Sequence, residues 1–298
     1  MQAAKGEPGS WVSNEAREKF MVAYERAFAL WPQPNEEFDI ETATATTRVH
    51  GYRPHPAGRP VVLLSGAGFN ASMWYPHVEA LAGNHPVYGV DMPGDPNPSI
   101  PRALMTSPQS CAAWLDELLA QLGDRPAHLV GASYGGWVAM NQALRAPARV
   151  ASITLLDPAG LTKLDARFWW WLNISGLASL TPIPVRRRLG RWLDNPAMLE
   201  QELMTLMWAG IRGYRMERKF PGVLADDQLG AIRVPVLLIT GARSALITPA
   251  QARDRAARMP NAEVAIVPGS HGHFNRTGEL SDRMSAFIDA HSEIRPTR

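Results

Sequence analysis

Gly131-Ala132-Ser133-Tyr134-Gly135-Gly136, entered through the short apolar run Ala127-His128-Leu129-Val130, decides the fold. It is a G-x-S-x-G pattern at the end of a strand-like segment, and a helical stretch from Trp137 to Ala146 follows it. A serine on a sharp strand-to-helix turn adopts strained dihedrals while the flanking chains come close. Gly131 and Gly135 remove the Cβ atoms that would collide there. The following helix points its N-terminal N–H groups at charge developing beside the serine. In this setting the pattern marks Ser133 as a nucleophile.

Working outward, apolar residues recur at helical spacing from Asn14 to Leu30, and Trp31-Pro32 ends the run. Residues 38–52 alternate and read as one or two strands. Pro60-Val61-Val62-Leu63-Leu64 is wholly apolar, as a strand buried on both faces requires. Then come a Gly-rich turn, a helix near 74–83, the strand 86–90, and a helix from Ser107 to Leu122 with Ser107 as its N-cap. After the serine turn the reading gives strand 150–156, strand 234–239, helix 249–258, strand 264–267 and a last helix over 280–291. Strands alternating with helices imply an α/β fold with a mostly parallel, twisted sheet covered on both faces. The alternation stops between Asp157 and Val234. That stretch holds Phe168-Trp169-Trp170-Trp171-Leu172, Trp192, Met204, Met207 and Trp208 in helical surroundings. The expected organisation is therefore a core over 1–160 and 230–298, including an N-terminal helix at about 14–31, with a helical cap inserted over 161–229.

With 298 residues, 46% of them hydrophobic, the chain can bury a large core. A formal net charge of +2 implies no basic surface for nucleic acid. The one cysteine, Cys111, lies in an amphipathic helical pattern and reads as packing. The opening Met1–Ser10 is polar, and no run of about 18 apolar residues occurs. The expectation is a cytoplasmic monomer or homodimer, with no membrane or nucleic-acid partner.

Ser133 needs a base, because an unassisted hydroxyl is a poor nucleophile near neutral pH. Val267-Pro268-Gly269-Ser270-His271-Gly272-His273-Phe274 follows the last strand and offers two histidines. His271 is favoured and His273 is the alternative. These features together resemble the α/β-hydrolase superfamily, closest in style to bacterial carboxylesterase-like members with a helical cap. The likeness runs from roughly Glu36 to Ile288 apart from the cap. Leu64-Ser65-Gly66-Ala67-Gly68-Phe69 resembles the family's His-Gly-x-Gly oxyanion loop, with Ser65 where the histidine usually stands. Asp91-Met92-Pro93-Gly94-Asp95-Pro96 resembles the turn after the family's fourth strand. The resemblance implies an α/β-hydrolase fold and an oxyanion hole made by the backbone N–H groups of Ala67 and Tyr134.

The acid departs from the pattern. The resemblance places it after the strand 236–239, near 244 or 245, where this chain has Ser244 and Ala245. Asp157 ends the strand 152–156, 24 residues after Ser133. Haloalkane dehalogenases and certain lipases of the superfamily take their acid from that strand. Asp157 is thus the candidate acid, with a capping or turn role as the alternative, and Pro158 restricts it to extended geometry.

Trp169, Trp170, Trp171 and Trp208 cannot all pack inside a small insertion, so some of them, with Trp169 and Trp208 as the candidates, are expected to line an apolar cleft over Ser133; packing of the cap helices on the sheet domain is the alternative. Phe69 and Trp74 are candidates for the acyl pocket, although Trp74 also suits a helix anchor. Arg186, Arg187, Arg188 and Arg191 read as a solvated helix face, with contact to an anionic substrate or carrier as the alternative. No metal or dinucleotide pattern is present, so no cofactor is expected. The function that follows is a cofactor-independent serine hydrolase for an ester, lactone or thioester of a hydrophobic small molecule. A serine in the nucleophile position disfavours dehalogenase and epoxide hydrolase chemistry, which need a carboxylate there. The alternatives are a non-hydrolytic lyase, cyclase or acyltransferase on the same fold, or a binding protein that has lost turnover.

Overall fold

The run Val61–Leu64 shows why the chain forms layers. Val62 and Leu64 enter one hydrophobic cluster, Val61 and Leu63 the other, and all four are shut off from solvent. Successive residues of a strand face opposite sides of a sheet, so a wholly apolar strand needs cover on both faces. A computed structural model, which describes residues 9–54, 57–103, 105–216, 221–271 and 278–292, supplies that cover.

The chain begins with β1 (Ser10–Trp11), α1 (Asn14–Phe28), β2 (Glu36–Glu41), β3 (Ala45–Tyr52) and β4 (Val61–Leu64). A 3-10 turn at Ala71–Trp74 leads to α2 (Val78–Leu81), β5 (Val87–Val90), β6 (Ile100–Pro101) and α3 (Pro108–Leu122). Next come β7 (Ala127–Ala132), α4 (Tyr134–Arg145) and β8 (Val150–Leu156). The helical stretch contains α5 (Ala166–Ser179), α6 (Ile183–Trp192), α7 (Gln201–Gly213), β9 (Tyr214–Arg215) and α8 (Asp226–Ala231). The chain then returns to the sheet through β10 (Val236–Gly241), α9 (Pro249–Ala256), β11 (Ala262–Val267) and α10 (Glu279–Ala290).

The large sheet has the order β11-β10-β8-β7-β4-β5-β3-β2, with β6 paired to β3. Neighbours from β11 to β5 are parallel, and β3 joins β5 and β2 antiparallel. Helices α3, α4 and α9 pack on one face, while α1, α2 and α10 pack on the other. Parallel strands bring all their C-terminal ends to one edge, where α/β folds place their sites. The loops after β4, β7, β8, β10 and β11 therefore meet there.

Local signals explain the boundaries. Ser13 caps α1 by accepting from the Ala16 N–H at 3.1 Å, and Phe20, Ala23, Tyr24, Ala27 and Phe28 form its buried stripe. Ser107 and Ser110 form a reciprocal capping box at the start of α3, as the sequence predicts for Ser107. Three features differ from the sequence reading. Helix α4 starts at Tyr134, directly behind the serine. The helix expected over 74–83 is a 3-10 turn followed by a single α turn. The N-terminal segment is also joined to the insertion. Strand β1 pairs with β9, the Trp11 ring lies 4.9 Å from Tyr214 and 4.8 Å from Phe20, and Leu203 and Leu206 of α7 share a cluster with Phe20. A two-residue strand leaves too short a period to be read from sequence. No described helix is long and apolar enough to cross a membrane.

Candidate active site

Ser133 stands between β7 and α4 with φ 48° and ψ −111°. The end of β8 and the turn after it hold Ser133 in that positive-φ conformation. Its N–H donates to the Leu156 carbonyl at 2.9 Å, and its own carbonyl accepts from the Ala159 N–H at 2.9 Å. The glycines around it are required by contact. A Cβ on Gly131 would stand 2.5 Å from the Gly135 oxygen, and one on Gly135 would stand 2.1 Å from the Leu64 oxygen. Both obstacles are backbone, which cannot step aside. Gly135→Ala is expected to destabilise the protein by about 3 kcal/mol or more, measured as a lower midpoint of chemical denaturation.

Asp157 follows β8 on the adjacent strand and is fully buried. Its φ is 40°, which corrects the extended geometry inferred from Pro158. The neighbouring bonds override the proline preference: the Asp157 N–H donates to Ile239 on β10, and Ala159 is tied back to Ser133. Because β8 and β10 are direct neighbours, Thr240 and Gly241 at the end of β10 reach the carboxylate sideways. The Thr240 hydroxyl donates a short hydrogen bond to Oδ1, and the Gly241 N–H lies 3.4 Å from the same oxygen. The other oxygen faces the histidine loop, with Oδ2 3.4 Å from Nδ1 of His271. His271 is buried, and Gly269 and Ser270 behind it close onto the turn after β10. The alternative base, His273, lies outside the described residues. At the usual acid position the Ser244 hydroxyl accepts from the N–H groups of Leu246 and Ile247 at 3.2 and 3.3 Å, so it braces the turn.

The loop after β4 lies across from the serine. A Cβ on Gly66 would stand 3.6 Å from the Ser133 Cβ and 4.0 Å from Phe69 Cδ2, so the backbone of this loop lies against the serine turn. Gly68 has φ 79°, a conformation that favours glycine. Ala67 lies between these glycines and is exposed, while Tyr134 opens α4.

Helix α5 touches the histidine through Trp171, one of the tryptophans singled out in the sequence, and Phe168, which was not. The Trp171 ring meets His271 edge-on with centroids 5.4 Å apart, and Phe168 does so at 5.8 Å. Their i, i+3 spacing puts them on one helix face, which was the available signal. Trp169 and Trp170 are 40% and 55% exposed, and Trp169 packs against Phe168 at 5.6 Å. Two substrate candidates are corrected. Trp74 is fully buried in the cluster beneath the 3-10 turn and anchors it, leaving no surface for a ligand. Trp208 packs against the insertion's own cluster with Arg212 over its ring at 5.2 Å, beside a crevice that α1 also lines. Of the four arginines, Arg187, Arg188 and Arg191 are exposed, whereas Arg186 is buried and donates to Gln201. Among the described residues no group of His, Cys, Asp and Glu could hold a metal ion.

Residues 61–284 match the model of the alpha/beta hydrolase family. The chain belongs to that family. Within this hydrolase family it is 30% identical over 288 residues to the uncharacterized carboxylesterase nap of Bacillus subtilis (strain 168), covering 93% of this chain and 94% of that protein. It is 31% identical to carboxylesterase YbfK of the same organism, over 86% of this chain and 87% of the relative. The crystal structure of naproxen esterase from Bacillus subtilis superposes with a TM-score of 0.82 at 27% identity, over 93% of this chain and 99% of the other. The hydrolase fold expected from the sequence is thus the fold observed.

Proposed function

We propose that this hydrolase cleaves carboxylic esters of hydrophobic small molecules through Ser133, His271 and Asp157. Its relatives at about 30% identity over nearly the whole chain are named carboxylesterases, which supports ester hydrolysis. The observation that carries the residue assignment is the approach of a fully buried Asp157 carboxylate to His271 at the strand end beside the serine turn. Catalytic hydrogen bonds in a free enzyme are often longer than in its complexes, so 3.4 Å fits an orienting contact.

In this reading Asp157 holds the proton of His271 on Nδ1 and leaves Nε2 to act. Nε2 takes the Ser133 proton as Oγ attacks the ester carbonyl, and the Ala67 and Tyr134 N–H groups receive the developing oxyanion. Each such donor contributes about 3 kcal/mol to lowering the barrier. The imidazolium then protonates the departing alkoxide. A water, deprotonated by the same nitrogen, attacks the acyl-serine and releases the acid. Phe168 and Trp171 cover His271, and Phe69 belongs to the loop against the serine turn, so the apolar part of the substrate rests on those rings. The reading keeps the enzyme in the cytoplasm with no cofactor.

A fluorophosphonate probe with a p-nitrophenyl ester as substrate tests this. Stoichiometric labelling of Ser133 and a burst of nitrophenol are expected. Labelling without turnover of esters would point to the non-hydrolytic alternatives, and an unlabelled Ser133 would sink the serine mechanism.

A further inference from the structure

Asp91 takes no part in the chemistry above, yet its carboxyl is fully buried and both its oxygens are engaged. Oδ1 accepts from the Ala71 N–H at 2.9 Å. Oδ2 accepts a short hydrogen bond from the hydroxyl of Tyr24 on α1. The same tyrosine oxygen lies 2.5 Å from Nε2 of His50 on β3, and the His50 ring stacks on Phe28 of α1 at 3.7 Å. Four residues along the same turn, the buried Asp95 accepts from the Gly68 N–H at 3.0 Å. The loop after β4 is therefore fastened on both sides of Phe69 by carboxylates of the Asp91–Asp95 turn. Ala67, the oxyanion donor, is directly attached to the first of those points.

We propose that Tyr24 and Asp91 are positioning residues: the N-terminal helix sets the place of the Ala67 N–H relative to Ser133 through the hydroxyl, the carboxyl and the Ala71 amide. The inference rests on the oxyanion role given to Ala67 above. Irregular backbone lacks the repeated hydrogen bonds of a strand, so its geometry depends on the few acceptors it meets. An oxyanion hole is sensitive to small displacements of its donors, whereas substrate binding is governed elsewhere. A buried carboxyl is costly to retain for packing alone. Burial pushes the Asp91 carboxyl up to about 7 and the His50 imidazole down to about 3. Arg48 and Asp95 act on Asp91 in opposite directions, and Glu37 faces His50 at 4.0 Å.

Asparagine can serve in place of Asp91. Its Oδ1 accepts from Ala71, its amide donates to the tyrosine oxygen, and the Tyr24 hydroxyl turns toward His50 Nε2. The test is steady-state kinetics on a p-nitrophenyl ester, together with the affinity for a trifluoromethyl ketone, which forms a tetrahedral oxyanion on the serine. Tyr24→Phe is expected to lower kcat and ketone affinity together by about ten-fold, with KM within about two-fold. Asp91→Ala should lose about a hundred-fold in both, and Asp91→Asn should restore most of that. Should Asp91→Ala fail to fold, Tyr24→Phe alone decides. A Tyr24→Phe enzyme with parental kcat and ketone affinity overturns the inference, as does a loss that appears in KM alone. Phosphonate labelling of Ser133 in the parent enzyme separates the two levels. No label sinks the serine mechanism itself, whereas full labelling with unaltered Tyr24→Phe kinetics sinks only the positioning role.

Discussion

Ser133→Ala should lower kcat on a simple aryl ester by about a million-fold, and adding His271→Ala should lower it little further. The reason is that the two side chains act as one unit. Without the hydroxyl there is nothing for the imidazole to deprotonate, and without the imidazole the hydroxyl stays protonated at neutral pH. What survives is catalysis by the oxyanion donors and by binding, which both single variants keep. Each single variant and the double variant should therefore reach the same low floor, while two independent contributions would multiply. The fold should tolerate both changes: Ser133 is held by its backbone bonds to Leu156 and Ala159, which alanine retains. Rates of the three variants, measured with phosphonate-titrated parent enzyme as the reference, make the comparison. If His271→Ala kept about a tenth of parental activity, the base would have to be the alternative, His273.

Asp157→Asn is expected to lower kcat by about four orders of magnitude. The surroundings of the carboxylate decide this. Oδ1 is committed to donors, Thr240 Oγ1 and the Gly241 N–H, so the amide oxygen of asparagine is fixed on that side. The NH₂ group must then face His271 Nδ1, where it donates and stabilises the tautomer with its proton on Nε2. A base whose working nitrogen already carries a proton cannot accept one from serine. The loss should appear in kcat with KM little changed, and it should ease as pH rises enough to ionise the serine without assistance. Near-parental kcat for Asp157→Asn would remove the carboxylate from the mechanism and return it to a turn role. Thr240 shares in this effect, because its hydroxyl fixes which oxygen of residue 157 faces the histidine.

The sequence by itself determined what rests on short-range sterics and periodicity. Gly131 and Gly135 mark the serine turn because a Cβ at either would meet backbone a few residues away or on the adjoining strand end. The apolar run 61–64 announces a strand covered on both faces, and Ser107 announces the start of a helix. From these the fold class could be read, and Ser133 could be singled out as the proposed nucleophile. Only the tertiary structure decided which groups meet across the sheet edge. Asp157 lies beside Thr240 because β8 and β10 are neighbours, a pairing between segments 83 residues apart that no local pattern encodes. Phe168 and Trp171 both meet His271 because residues three apart share a helix face, while the sequence shows only a row of aromatics. Trp74 looked available for substrate but is enclosed, and Tyr24, part of the buried stripe of the first helix, is bonded to Asp91. Local composition fixes what a segment can be, whereas contacts between distant segments follow from how the layers close over one another.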